Sequence, residues 1–360
     1  MRFIRSFLCP ASFQINLNSG LRLLCLPALI VLACPPLRSQ QPASAQQAVS
    51  TPSSRSDKNP VNLHVDLVVM DAQVVQRKTS RIVGGLTKAD FALYEDGVKQ
   101  EIAQFSQDSL PLSVLLLVDR AGCLDPFTDQ VREATLSALN RLKPGDEVAV
   151  MTFAENTQLL EGFTRDRQRI ADAITRMPPH DENAEHCFNS AFYDAASFMR
   201  RASNPDGRRV IVVLTAETRD IGCMTGPSAT DARDAMLESG AVVCGLIPSM
   251  SGQKFESGII SGVAFLFRVP STKLNQLVEE TGGEIFSDKP EELDHAFGNL
   301  VDHLRSRYTI GFVSSNSRRD GKYRKLKLTV APPIHKREGD VVVVTRRGYV
   351  AAKDAGNSPQ

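Results

Sequence analysis

The chain has 360 residues, of which 42% are hydrophobic and 23% charged, and a formal net charge of +1. That is ordinary globular composition, long enough for about two domains, and the near-neutral balance argues against nucleic acid or a membrane surface as the partner of the whole chain. The average hides an asymmetry: residues 1–45 hold Arg2, Arg5, Arg22 and Arg38 and no acidic residue, so the remainder carries −3.

Arg22, the apolar run Leu23 to Ala33 broken only by Pro27, and small or polar residues through Ala43-Ser44-Ala45 have the charged, apolar and A-x-A parts of a secretory signal. Residues 1–45 are therefore expected to be an export signal that is removed, which makes the mature chain secreted or periplasmic. The apolar run falls short of the roughly 20 residues of a spanning helix, and no other stretch is apolar enough, so no transmembrane span is expected. Val31-Leu32-Ala33-Cys34 offers a second cut of lipoprotein type, with Cys34 lipidated, but Pro35 directly after it ranks that reading lower. Residues 46–60, rich in Ser, Pro and Gln, read as a disordered linker, and 351–360 as a disordered tail.

From Val61 to Val69 apolar residues alternate with Asn62, His64, Asp66 and Val68, the period of a half-buried strand with Val61, Leu63, Val65, Leu67 and Val69 on the core face. His64 falls on the polar side with no neighbour at ligand spacing. Phe91 to Glu95 and Val98 to Phe105 flank Asp96-Gly97, a type I′ hairpin signal. Such strands need a partner. Tyr308 to Val313, Tyr323 to Val330 and Val341 to Thr345 supply one at the other end of the chain, so the two ends, 61–108 and 308–350, are expected to close one β-sandwich around an inserted middle.

The middle, 109–307, alternates strand and helix. Ser113 to Val118 is a short apolar run ending on Asp119, as a strand buried on both faces does, and the ligands of open α/β sheets sit beyond the carboxyl ends of such strands. The plainer reading of Asp119 is a helix cap. Further strands are expected at Glu147 to Phe153, Gln158 to Phe163, Arg209 to Leu214, Ala241 to Ile247 and Gly283 to Phe286. Helices are expected at Phe127 to Leu142, Arg167 to Met177, Ala191 to Arg201, Ala229 to Ser239, Lys273 to Glu280 and Pro290 to Arg307. The fold class is α/β, a doubly wound, mainly parallel sheet inserted in a β-sandwich.

The strand S-V-L-L-L-V-D, the stretch L-K-P-G-D-E-V-A-V-M-T-F at Leu142 to Phe153 and N-S-A-F-Y-D-A-A at Asn189 to Ala196 together resemble a von Willebrand factor type A domain. G-L-T-K-A-D-F-A-L-Y-E-D-G-V-K-Q at Gly85 to Gln100, with R-Y-T-I-G-F and R-R-G-Y near the end, resembles the narrower VWFA-related group of exported proteins first defined in acidobacteria. The resemblance implies a divalent metal site, D-x-S-x-S after the first strand, then a Thr, then an Asp. Here Asp119 keeps the first position, Ala121 and Cys123 replace the serines, Ser190 stands for the Thr and Ala216 for the last Asp, with Glu217 beside it. Mg²⁺ takes about six hard oxygens in octahedral array and avoids thiols. Metal binding is therefore expected to be weak or absent, with a nonstandard Mg, Mn or Ca site through Asp119, Ser190 and Glu217 as the alternative.

Of seven cysteines, Cys9, Cys25 and Cys34 fall in the signal, leaving Cys123, Cys187, Cys223 and Cys244, which allow three full pairings. By the strand assignments Cys123, Cys187 and Cys223 lie in loops at the carboxyl edge of the sheet. Cys187 to Cys223 is the first choice of disulfide, with Cys123 the other possible partner, and Cys244 is expected to be a buried hydrophobe. The loop His180 to Cys187 carries two His, a Cys and three carboxylates, yet its spacing matches no standard zinc site, so it reads as solvated. The basic stretch Arg318 to Lys327 reads as a solvated strand face. There is no G-x-G-x-x-G after Asp119, no phosphate-binding G-x-x-x-x-G-K-[ST] and no G-x-S-x-G. The expectation is a non-enzymatic interaction or adhesion module without cofactor, binding another protein or a matrix component through Arg120, Cys123, Asn189 and Glu217.

Overall fold

A computed structural model of the chain describes residues 67–124, 127–179, 184, 186–216, 223, 225–248 and 272–353. The export and lipoprotein signals, the linker, residues 61–66, Glu217, most of the loop before Cys187 and residues 354–360 of the tail lie outside the described residues. In chain order the strands are β1 (Leu67–Gln76), β2 (Phe91–Glu95), β3 (Val98–Gln100), β4 (Ile102–Ser106), β5 (Leu112–Asp119), β6 (Glu147–Phe153), β7 (Thr157–Thr164), β8 (Arg208–Leu214), β9 (Val242–Pro248), β10 (Ile285–Asp288), β11 (Tyr308–Val313), β12 (Tyr323–Val330), β13 (Val341–Thr345) and β14 (Gly348–Val350). The helices are α1 (Thr128–Leu139), α2 (Arg167–Thr175), α3 (Phe188–Met199), α4 (Ala229–Ser239), α5 (Leu274–Thr281), α6 (Leu293–Arg305) and α7 (Pro332–Glu338).

Six strands form the central sheet in the order β10-β9-β8-β5-β6-β7, all parallel except the edge strand β7. All eight residues of β5 are buried because both faces are covered. Val114, Leu116 and Val118 pack with Val131 of α1, Ile170 of α2 and Leu300 of α6, whereas Leu115 and Leu117 pack with Phe188 and Phe192 of α3 and Met236 of α4. The lower edge is closed by charge: Asp146 accepts from Leu112 N (2.8 Å) and Lys143 N (2.6 Å) and pairs with Arg305, while Glu147 accepts from Ser113 Oγ (2.7 Å) and Ser203 N (2.7 Å).

Two four-stranded antiparallel sheets, β13-β1-β11-β4 and β14-β12-β2-β3, share a second core that includes Met70, Val74, Leu93, Ile310, Phe312 and Leu328. The expected hairpin forms, with Glu95 opposite Val98 and both Asp96 (φ 47°) and Gly97 (φ 85°) in the left-handed region. The run expected from Val98 to Phe105 is instead broken at Glu101, where the chain leaves one sheet for the other. The face of β1 is also opposite to expectation. Leu67 and Val69 are about half exposed, and Met70, Ala72 and Val74 are buried. The strand runs on to Gln76, its longer apolar row takes the core side, and a change of phase by one residue turns every side chain over. The short helix α7 and strand β14 were not foreseen.

The inserted domain and the sandwich meet along a polar seam. Arg208, its side chain fully buried, pairs with Asp71 at 2.9 Å, and Gln73 donates to His303 O and Ser306 Oγ, both at 3.1 Å. Arg346 donates across it to Leu237 O (3.0 Å), and beside it Arg307, the last residue of the domain, donates to Gly282 O (2.6 Å). Two glycines make room: a Cβ on Gly282, whose φ is +77°, would meet Arg346 N at 2.4 Å, and one on Gly283 would lie 1.7 Å from Val243 O. Gly283→Ala is expected to lower stability by at least about 3 kcal/mol, read as a fall in the urea midpoint at unchanged slope.

Candidate functional site

Asp119 is the last residue of β5, in register with Phe153 of β6, so its carboxylate stands at the carboxyl edge of the sheet, yet it is only 1% exposed. A buried carboxylate must be satisfied locally. Oδ1 accepts from Ala121 N at 2.9 Å, and Oδ2 accepts from Thr215 Oγ1 at 2.7 Å and from the Cys123 thiol at 3.2 Å, with His186 Nδ1 3.1 Å away. Facing a carboxylate, that ring nitrogen carries the proton. The turn that folds Cys123 back over the carboxylate runs through Gly122 at φ +88°, a conformation that glycine adopts without strain.

Three further contacts position these groups. Thr215 follows β8, whose Leu214 is level with Val118 of β5, so Thr215 comes level with Asp119 on the same edge. The segment bearing His186 is anchored by Cys187, whose N–H donates to Ala154 O at 3.1 Å and whose Sγ is bonded to Cys223, with the two Cα atoms 5.3 Å apart. The His186 ring also meets the Phe188 ring edge-on.

Burial alone would push the Asp119 carboxyl up, but the hydrogen bond and charge of His186, with Ala121 N–H and Thr215, outweigh it and hold the carboxyl below its ordinary value. Burial, reinforced by the Asp119 charge, drives the Cys123 thiol far above its usual range, and Cys244, wholly buried in the sheet, is pushed up to about 11. A Cys, a His and an Asp thus meet, but in the wrong order for nucleophilic catalysis. The carboxylate lies between the other two, so it suppresses the thiolate instead of orienting a base toward it.

The expected residues divide. Asp119, Ala121 and Cys123 are together, and Ala216 N–H lies against the Cys123 sulfur. Ser190 is not among the partners of Asp119: its hydroxyl lies beside Gly226, where a Cβ would approach it to 2.7 Å. Asn189 is buried and accepts from Thr272 N at 2.8 Å, so it braces the edge from beneath instead of presenting itself to a partner. Arg120 is half-buried over a small apolar cleft between α1 and α2. Among the described residues the donor set does not fit Mg²⁺, since one carboxylate stands where several hard oxygens are required and a thiol adjoins it. Thr215 and His186 escaped the sequence reading. The parallel register signals the first, and adjacency to a cysteine placed on this edge signals the second.

An open parallel sheet with helices on both faces and a polar cluster beyond its first central strand defines a doubly wound α/β domain whose ligand edge holds Asp119. Residues 114–218 match the family model of the von Willebrand factor type A domain, and the chain carries such a domain. No curated protein matches the sequence. Among solved structures it is similar to proximal thread matrix protein 1 from the mussel byssus, at 10% identity and TM-score 0.41, with 54% of this chain and 48% of that one covered. The chain therefore spans about half the length of the mussel protein. It is also similar to an aerotolerance-related membrane protein from Bacteroides fragilis (17% identity, TM-score 0.38, 53% and 98% covered) and to a von Willebrand factor type A protein from Catenulispora acidiphila (12%, 0.41, 81% and 74%).

Replacing Asp119 by Ala leaves the buried Thr215 hydroxyl and Ala121 N–H without their acceptor, and a stability loss of about 2–4 kcal/mol is expected in urea titrations. Cys187→Ser with Cys223→Ser opens a loop of 36 residues and is expected to cost about 3 kcal/mol by the same measurement.

Proposed function

We propose that this chain is an exported, non-enzymatic interaction protein that binds another protein or a matrix component through the carboxyl-edge loops of its von Willebrand factor type A domain, without help from Mg²⁺, Mn²⁺ or Ca²⁺. The observation that carries the reading is the disulfide between Cys187 and Cys223, which ties the loop before α3 to the loop after β8 beside Asp119. It supplies covalently the order that a hard ion would otherwise supply, and a preorganised surface loses less entropy on binding. A disulfide also suits an oxidising compartment, in keeping with a removable signal over 1–45. No helix among the described residues is long and apolar enough to cross a membrane. The buried, suppressed thiol of Cys123 speaks against a hydrolytic nucleophile.

We set the domain at 109–307 and the two halves of the sandwich at 61–108 and 308–350. The flanking motifs support the narrower exported VWFA-related group, since Arg307 and Tyr308 lie where the chain passes from domain to sandwich and Arg346, between β13 and β14, reaches back to Leu237 of the domain.

A photoreactive side chain at position 120, on the proposed face, is expected to give a discrete cross-linked adduct in the source cell envelope with Mg²⁺ present or withheld, whereas one at the exposed Val98 of the sandwich gives none. Equal adducts at both positions, or none at 120, reject the face. Export has its own test. Denatured mature protein is expected to show two free thiols, Cys123 and Cys244, before reduction and four after it, whereas a retained signal with unmodified thiols raises the total to seven.

A further inference from the structure

We infer that Asp119, Cys123 and His186 form a binding site for a borderline transition-metal ion of the Zn²⁺ class, in the place where the family's hard-ion site has lost its oxygens. This deepens the proposed function, because it rests on the same edge of the same domain and assigns that edge a different ion. The three donor atoms, a carboxylate oxygen, a thiol sulfur and an imidazole nitrogen, lie within 4.8 Å of one another. Sulfur and nitrogen donors beside one oxygen suit Zn²⁺ or Co²⁺ and repel Mg²⁺ and Ca²⁺.

The spacing supports it. Zn–O and Zn–N bonds of about 2.0 Å and a Zn–S bond of about 2.3 Å in a tetrahedron put neighbouring donors roughly 3.3–3.6 Å apart. Asp119 Oδ2 is already 3.2 Å from Cys123 Sγ and 3.1 Å from His186 Nδ1, so an ion needs an opening of only a few tenths of an ångström on those two edges, while the third, sulfur to nitrogen, lies within 4.8 Å and closes as both side chains turn to the ion. The ion displaces two protons to solvent, one from the Cys123 thiol and one from His186 Nδ1, and leaves the ring neutral with its remaining proton on Nε2.

The surroundings are those of a supported site. Ala121 N–H fixes Oδ1 and so turns Oδ2 toward the other donors, and Thr215 holds Oδ2 from the neighbouring strand while standing 3.6 Å from the sulfur. Such outer contacts orient the ligands of metal sites. Three protein ligands leave the fourth position of a tetrahedron open, as in zinc sites that take up an outside group.

The test is a titration of the full mature chain, disulfide intact and stripped with chelator, with Co²⁺ as the probe. One equivalent is expected to bind and to raise a near-ultraviolet sulfur-to-cobalt charge-transfer band, which Zn²⁺ abolishes and a thousandfold excess of Mg²⁺ leaves in place. Cys123→Ser is expected to remove the band, and His186→Ala to weaken Co²⁺ binding at least tenfold, with circular dichroism showing both variants folded. Absence of the band in the wild type, or its persistence in Cys123→Ser, overturns the site. Cross-linking at position 120 is read separately, so a chain that binds no cobalt yet keeps its adduct loses the metal site alone.

Discussion

A charge at the end of a strand buried on both faces is the constraint on which this molecule depends. Asp119 cannot reach water from β5, and an unpaired carboxylate there would cost several kcal/mol. Its oxygens therefore dictate the local chain. The turn after β5 must bring Ala121 N–H and Cys123 back, β8 must end level with it so that Thr215 follows, and the segment before α3 must deliver His186. Each requirement constrains a different loop, so one carboxylate orders three loops of the carboxyl edge.

The opposite end is rigid for a related reason. Asp146 and Glu147, from the stretch that first suggested the family, do not approach the functional edge. They satisfy backbone and side-chain donors of β5, the turn before β6 and the segment after α3, with Arg305 alongside, and so fix where the central strands begin. The seam to the sandwich is made in the same way, by buried Arg208 on Asp71 and by Arg346 on the Leu237 carbonyl. Buried pairs of this kind add little net stability but are costly to break singly, so they set position more than strength.

Much of this was legible from residues alone. The apolar runs of β5, β6, β8 and β9 and the left-handed pair Asp96-Gly97 declare themselves because burial on both faces and positive φ each demand particular residue types. The phase of β1 was not legible. Both its rows carry apolar residues, Leu67 and Val69 on one and Met70, Ala72 and Val74 on the other, and only pairing with β11 and β13 decides between them. Of the site, Asp119, Cys123 and the cysteine pair were visible as residues left at strand ends. His186 was not, because its loop is mostly polar in sequence and it is the anchor at Cys187 that brings this side chain to Asp119. Alignment to the expected donors favoured Ala216 and passed over Thr215, although a hydroxyl one residue earlier is what β8 places against the carboxylate.

Exchanging serine hydroxyls for Ala121 and Cys123 changes more than the number of oxygens. A site of hydroxyls and several carboxylates is held open by mutual repulsion until a cation enters, so its loops follow ion concentration. Here the Asp119 carboxylate already has its donors and the Cys187–Cys223 disulfide joins two segments of the edge, so these groups are placed before any ion arrives. Its order then depends on the oxidation state of Cys187 and Cys223 and on whether a thiolate-seeking ion displaces the Cys123 proton. Both are properties of the compartment, so under the proposed zinc-class site this sheet edge would answer to redox conditions and soft metal supply.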